Sequence, residues 1–394
     1  MVLMALFTTF ITTPIVMAIY KPEKRKIIAD YMNRTIERKN PNTQLRILTC
    51  YHSARNIPSI INLLEASRGS EKREGLSVDA LHLMELSERS SAIIMVHKAR
   101  KHGLPFWNKS QQSDSNHVVV AFEAYRQLSH VSMRSMKAIS SMSDMHDDIC
   151  KTAETNRAAI IILPFHKHQR VDGSLETTRN DFRLVNLKVL EHARCSVGIL
   201  VDRGLGGTTQ VAASNVSYFI MVPFFGGCDD REALAYGVRM AEHPGIRLMV
   251  IRFIVEPESM GEIVRVNIDS SSSTELRSSD EEFLAEFKQN MAKDDSIKYE
   301  EKLIRNAADT IAVLSELKRC NLFLVGRRPE CEAALDLSRS DDCSELGPVG
   351  GLLTSPDFST TASVLIVQQY KSGASPNLTL QMEDESPDKD SESN

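Results

Sequence analysis

The sequence lacks the marks of a hydrolase, a secreted scaffold or a nucleic-acid binder. It contains no G-x-S-x-G elbow and no defined Cys/His pair, so nothing points to a serine or cysteine nucleophile, and no enzyme activity is expected. It has no basic excess: 47 Lys and Arg stand against 52 Asp and Glu, a formal net charge of -5. A chain that gathers along a polyphosphate backbone carries the opposite balance, so nucleic acid is not an expected partner. The seven cysteines, Cys50, Cys150, Cys195, Cys228, Cys320, Cys331 and Cys343, form no C-x-x-C and no compact framework, which fits reduced thiols in the cytosol. Charge is also absent from Met1 to Tyr20.

That last absence is the strongest positive signal. About 20 apolar or small residues is the length of a helix that crosses the hydrocarbon core of a bilayer. Lys21, Lys24, Arg25 and Lys26 follow Tyr20 at once, and the positive-inside tendency then places everything downstream in the cytosol. Thr8, Thr9, Thr12 and Thr13 beside Pro14 are tolerable in a membrane helix, because hydroxyls and neighbouring helices satisfy the backbone groups that proline frees. A cleaved signal peptide carries its cationic region before the apolar stretch, whereas here the basic cluster follows it. A single span has no ion pathway of its own. It is expected to be the stump of a larger membrane domain, with a simple anchor as the alternative.

Downstream, apolar strands alternate with amphipathic helices. Leu45 to Cys50 and Val78 to Leu86 read as strands around a helix at Ile57 to Ala66. A helix at His117 to Leu128, a strand at Met133 to Ile139 and a helix at Asp144 to Thr155 continue the series. Ala158 to Leu163 is a continuous apolar strand, followed by a helix from Arg179 to His192 and a strand from Val197 to Val201. The order then repeats: Ser217 to Phe225 answers Leu45 to His52, Arg247 to Val255 answers Val78 to Leu86, and Leu322 to Gly326 answers Ile160 to Pro164. The run Cys195 to Val201 answers Ala362 to Val367. Corresponding strands lie roughly 160 to 175 residues apart, about one modest domain.

The expected fold class is α/β: one N-terminal transmembrane helix followed by two tandem, doubly wound, mostly parallel sheets. The expected domains are a membrane helix at 1–20, a basic connector at 21–42, α/β domains at 43–205 and 215–370, and a disordered acidic tail at 371–394. The serine-rich segment from Asn267 to Asp280 is also expected to be disordered.

Particular residues carry a family resemblance. Ala5 to Pro14 with Lys21-Pro22 resembles the end of the membrane domain in the plant cation/proton exchanger family. Leu45 to Leu48 with Cys50 and His52, then Asn56 to Ser59, and Leu81 to Arg89 resemble its first two cytosolic strands. Pro164 to Lys167, Cys195 to Gly204, Ser344 to Gly350 and Asp357 to Val364 are similar in the same order. The resemblance implies the C-terminal part of a monovalent cation (K+)/H+ antiporter, with a cytosolic tail of universal-stress-protein-like units. It also implies a role in pH and K+ homeostasis, a membrane domain upstream as partner, K+ and H+ as transported ions, and a homodimer. Transport needs ionisable carboxylates within the membrane, and Met1 to Tyr20 has none, so this chain alone should not exchange ions. The alternative is a soluble or membrane-anchored universal-stress-protein-like nucleotide sensor or scaffold.

For that alternative the candidate cofactor-binding residues are Gly326, which ends a strand, and Gly347 with Gly350, a G-x-x-G ahead of Thr360 and Thr361. Backbone amides at such turns can approach the phosphates of an adenine nucleotide. Against this, Phe224-Phe225-Gly226-Gly227 stands where a strand-end aspartate is expected, and Pro348 removes one donor. His52, His166 and His168 sit near strand ends, where pH sensing is one role and ordinary hydrogen bonding another. No metal site is expected. Trp107 reads as part of a hydrophobic patch on a connecting loop.

Overall fold

Strands with apolar side chains on both sides need cover on both sides, and this chain meets the demand with one sheet between two layers of helices. The computed structural model describes residues 34–37, 44–69, 75–86, 113–129, 131–170, 175–177, 179–205, 217–256, 270–291, 295–317, 319–337, 343–358 and 360–371. The apolar run 1–20, Trp107 and the tail 372–394 lie outside the described residues. Among the described residues, no helix is long and apolar enough to cross a membrane.

In the first half, β1 (Leu45–Tyr51), α1 (Ile57–Ala66), β2 (Leu76–Glu85), α2 (Ser113–Ser129), β3 (Ser132–Ser140), α3 (Met145–Thr155) and β4 (Ile160–Pro164) follow in order. A small antiparallel ribbon, β5 (Lys167–Gln169) with β6 (Leu175–Thr177), precedes α4 (Asp181–His192) and β7 (Ser196–Val201). The second half runs β8 (Tyr218–Phe224), α5 (Cys228–Ala241), β9 (Ile246–Val255), α6 (Ser270–Met291) and β10 (Ile297–Ile304). It ends with α7 (Ala307–Glu316), β11 (Leu322–Gly326), α8 (Glu332–Leu335), α9 (Gly347–Thr354) and β12 (Ser363–Gln368). Within each half the pairings are parallel, in the orders β3-β2-β1-β4-β7 and β10-β9-β8-β11-β12, so the repeat in sequence is a repeat in topology.

The two halves share one ten-stranded sheet, because β12 pairs antiparallel with β7. Opposite Val367 stands Gly198, where an added Cβ would lie 3.1 Å from the Leu365 side chain. Alternation along the joined strands sends Ile199, Val201, Val364 and Ile366 to one face with Phe323 and Val325. Leu200, Leu365 and Val367 go to the other face with Leu322 and Leu324. Each face therefore has a core that runs across both halves, and each fully buried Leu or Ile contributes about 1.5–3 kcal/mol. The antiparallel seam also sets the strands of the two halves in opposite directions, so the start of β7 lies beside the end of β12.

Two segments differ from expectation. The serine-rich stretch is not loop from Ser270 onward: it opens the 22-residue α6, held further along by the buried Leu284 and Phe287. The strand β10, IKYEEKLI, goes unrecognised in sequence because an exposed edge strand with charged side chains shows little apolar periodicity.

Candidate functional site

The end of β8 turns into α5 through Gly226 and Gly227, whose φ angles of 104° and 105° lie where L side chains are strained. The helix then opens on Cys228-Asp229-Asp230-Arg231-Glu232. Acidic residues suit a helix N-terminus, where unpaired amides carry partial positive charge. Such residues ordinarily face water, but all four charged residues here are buried, with Asp229 and Glu232 at 0% exposure.

Their partners explain the burial. Asp230 Oδ2 accepts from the amides of Phe225 (2.7 Å) and Gly226 (3.0 Å), and Oδ1 from Gly326 (3.0 Å). Asp229 Oδ1 accepts from the Gln369 amide at 2.8 Å, and Oδ2 from the Arg328 amide at 3.1 Å and from Arg328 Nε at 3.3 Å. Two carboxyl groups thus satisfy the backbone at the ends of β8, β11 and β12, an array of amides of the kind that elsewhere receives phosphate oxygens. Burial raises the Asp230 carboxyl to about 8, while the amides of Phe225 and Gly326 pull the other way.

The other two residues of the motif reach outside the second half. Glu232 Oε1 accepts from the Ile36 amide at 2.6 Å and from Ser196 Oγ at 2.7 Å, and Oε2 accepts from the Glu37 amide at 2.9 Å and Gln369 Nε2 at 3.3 Å. Burial raises the Glu232 carboxyl, opposed by the hydrogen bonds from Ile36 and Ser196. Arg231 donates through Nε to Glu37 Oε1 at 2.9 Å and through a second nitrogen to Asp280 of α6, which in turn accepts from the Gly227 amide at 2.9 Å. Burial lowers the Arg231 pKa and the carboxylates of Glu37 and Asp280 raise it, with a net upward result. The Arg34 carbonyl accepts from the Ser196 amide at 3.1 Å, and the Arg34 guanidinium lies 5.8 Å from the Tyr370 ring centroid. Residues 34–37 are consequently pinned where β7, β12 and α5 meet, touching both halves at once.

The sequence-expected glycines all stand in the second half, and each is closely approached by its own chain. A Cβ on Gly326 would fall 2.2 Å from Asp230 Oδ1, one on Gly347 2.0 Å from the Arg327 carbonyl, and one on Gly350 2.8 Å from Ile366 Cγ1. Asp230 also accounts for the motif without a strand-end aspartate: its side chain folds back onto Phe225 and Gly226 from six residues beyond the strand. Thr360 accepts from the Ala362 amide at 3.1 Å.

The three histidines do not converge. His52 stacks on Phe182 with centroids 4.1 Å apart, His168 lies 3.8 Å from Glu176, and His166 lies 2.7 Å from Glu345. Among the described residues, no group of three His, Cys, Asp or Glu could hold a metal ion. Sequence reasoning passed over Asp229 to Glu232, for which the available cue was a Gly-Gly turn followed, after Cys228, by four consecutive charged residues.

Two family models match the chain: "Plant cation/H(+) antiporter domain" over residues 78–205 and "Plant cation/H(+) antiporter, C-terminal domain" over residues 217–368. The chain is similar to Cation/H(+) antiporter 18 of Arabidopsis thaliana, 61% identical over 386 residues, covering 96% of this chain and 48% of that protein. It is also similar to Cation/H(+) antiporter 17 of the same plant, 53% identical over 403 residues, covering 97% of this chain and 49% of that protein. The chain spans about half the length of the relatives it matches. A solved universal stress protein from Archaeoglobus fulgidus DSM 4304 aligns at 14% identity with a TM-score of 0.43, over 82% of this chain and 96% of that one.

Proposed function

This chain belongs to the plant cation/H(+) antiporter family, and from that premise we propose that it is the C-terminal regulatory portion of a monovalent cation (K+)/H+ antiporter. Residues 1–20 are its last membrane helix, the units at 43–205 and 215–370 lie in the cytosol, and the remaining membrane domain is its partner. K+ and H+ are the ions of the whole protein, which works as a homodimer in membranes of the cell. The tail does not transport, and its task is to bias the membrane domain.

The observation that carries this reading is the pinning of residues 34–37 by Glu232, Arg231 and Ser196. Arg34 stands 14 residues after Tyr20, a stretch that spans at most about 50 Å when fully extended. Any rearrangement at the joint between the two halves therefore pulls on a short tether to the membrane helix. A regulatory tail needs such a connection, whereas a free sensor has no use for one.

Ion exchange in vesicles tests the proposal. The complete antiporter carrying this tail should exchange cations for protons with a dependence on cytosolic conditions that is lost when the protein is cut before Arg34. The 394-residue chain alone should exchange none. Exchange by the chain alone, or identical exchange with and without the tail, refutes the assignment. Topology has its own check: the sequons at Asn33, Asn108, Asn215 and Asn377 should stay without sugar when the chain is inserted into microsomes, and a glycan on any of them reverses the orientation.

A further inference from the structure

The joint between the two halves contains a titratable contact. His166 follows β4 in the first half, and Glu345 precedes α9 in the second. The side chains are 2% and 0% exposed, and Nδ1 of His166 lies 2.7 Å from Glu345 Oε1. The approach is out of line for a hydrogen bond, so the contact is chiefly electrostatic. Three other charged or titratable groups face it. Arg183 of α4 places Nε 3.3 Å from Glu345 Oε2, the Cys343 thiol stands beside the imidazole, and Arg327 Nε donates to the Glu345 carbonyl at 3.2 Å. On the side of its own strand, His166 meets the Phe165 ring at 4.4 Å between centroids.

The carboxylate thus comes from one half, while two of its cationic partners, His166 and Arg183, come from the other. A carboxylate with no exposure depends on those partners, because a buried charge that loses its counter-charge is strongly destabilising. We infer that the joint between the two halves responds to pH through His166: protonated, it clamps Glu345 together with Arg183, and neutral, it leaves Arg183 to hold the carboxylate alone. Burial lowers the imidazole pKa, but contacts with Cys343 and Glu345 more than offset this and raise it above 6.5. A raised folded value means that the clamp is complete below about pH 6.5 and is lost as pH climbs through the folded pKa. The joint is tight in an acid cytosol and looser in an alkaline one. Its onward effect on the membrane domain, through residues 34–37 at the same joint, rests on the function proposed above.

The test uses the full chain, wild type and His166→Gln. In hydrogen exchange at matched pH, the ratio of variant to wild-type rates at β12 amides should be about tenfold or more near pH 6 and fall toward unity near pH 9. The ratio at β9 amides should stay near unity throughout. The His166 imidazole signal, assigned by its absence from the variant, should titrate above 6.5. A β12 ratio that does not change with pH, or titration at or below 6.5, overturns the inference. If the variant fails to fold, the histidine signal assigned through His166→Arg decides by the same criterion. These measurements need no transport, so a joint indifferent to pH in a chain whose removal still alters exchange sinks the switch and leaves the regulatory role standing.

Discussion

Replacing Glu232 with Ala should release residues 34–37 while leaving the sheet assembled. The carboxylate accepts four hydrogen bonds, two of them from the amides of Ile36 and Glu37. Hydrogen bonds to a charged group are each worth about 1.5–3 kcal/mol, so those two amides lose about 3–6 kcal/mol of local protection. At 1.4 kcal/mol for each factor of ten, their exchange should accelerate roughly a hundred- to ten-thousand-fold. The other two donors have alternatives: Gln369 Nε2 also donates to Glu37, and the Ser196 hydroxyl can rotate. Hydrogen exchange separates release of the segment from loss of the fold: in the variant Ile36 and Glu37 should approach unprotected rates, while the β9 amides of Leu248 and Val250 remain protected. Equal protection at β9 and at Ile36 in the variant would mean that residues 34–37 open only together with the whole fold, and no separate tether would exist.

Two further outcomes follow from the site and the first half. Gly326→Ala and Gly347→Ala should each destabilise the chain by about 1–3 kcal/mol, because each Cβ overlaps backbone or a buried carboxyl and Gly347 also has a φ of 67°. Thermal unfolding with and without millimolar ATP checks this: the melting temperature should drop in both variants, and the wild type should show no shift with ATP, whereas a shift would mean that the strand-end amides open to phosphate. Burial, aided by the nearby charges of Arg179 and His82, lowers the His52 pKa from 6.5 to about 4. Between those values the unfolded chain binds a proton that the folded chain refuses, so stability should fall by on the order of 3 kcal/mol as pH drops through that window. Urea unfolding against pH should show this loss in the wild type and a flatter profile in His52→Leu. An unchanged slope in the variant would assign the loss to other groups.

The α/β class, the repeat and most element positions were legible because burial on both faces imposes long apolar runs that survive without tertiary information. Ala158 to Leu163 and Ala362 to Val367 are such runs, and both proved to be central strands. The edge strand β10 was illegible for the converse reason: Lys298, Glu300, Glu301 and Lys302 face solvent, so no apolar period marks it. The helix over the serine-rich segment is anchored from Asp280, Leu284 and Phe287 by contacts made across the fold, and local composition said nothing of these. Asp229 to Glu232 carry no local sign of burial, since acidic residues at a helix start ordinarily face water. Their burial depends on strand ends 96 to 140 residues away and on Ile36 and Glu37, 196 and 195 residues from Glu232, partners that no local window contains.

The order of apolar and polar residues therefore determined which segments become strands and helices, that they do so twice, and which family the motifs resemble. Only the folded arrangement decided that the two sheets merge through β7 and β12, that Asp230 fills the amides beside Gly326, and that His166 meets Glu345 across the joint. The division has a simple cause: periodicity is a property of neighbours in the chain, whereas a buried charge is stable only beside partners that folding brings to it from far away in sequence.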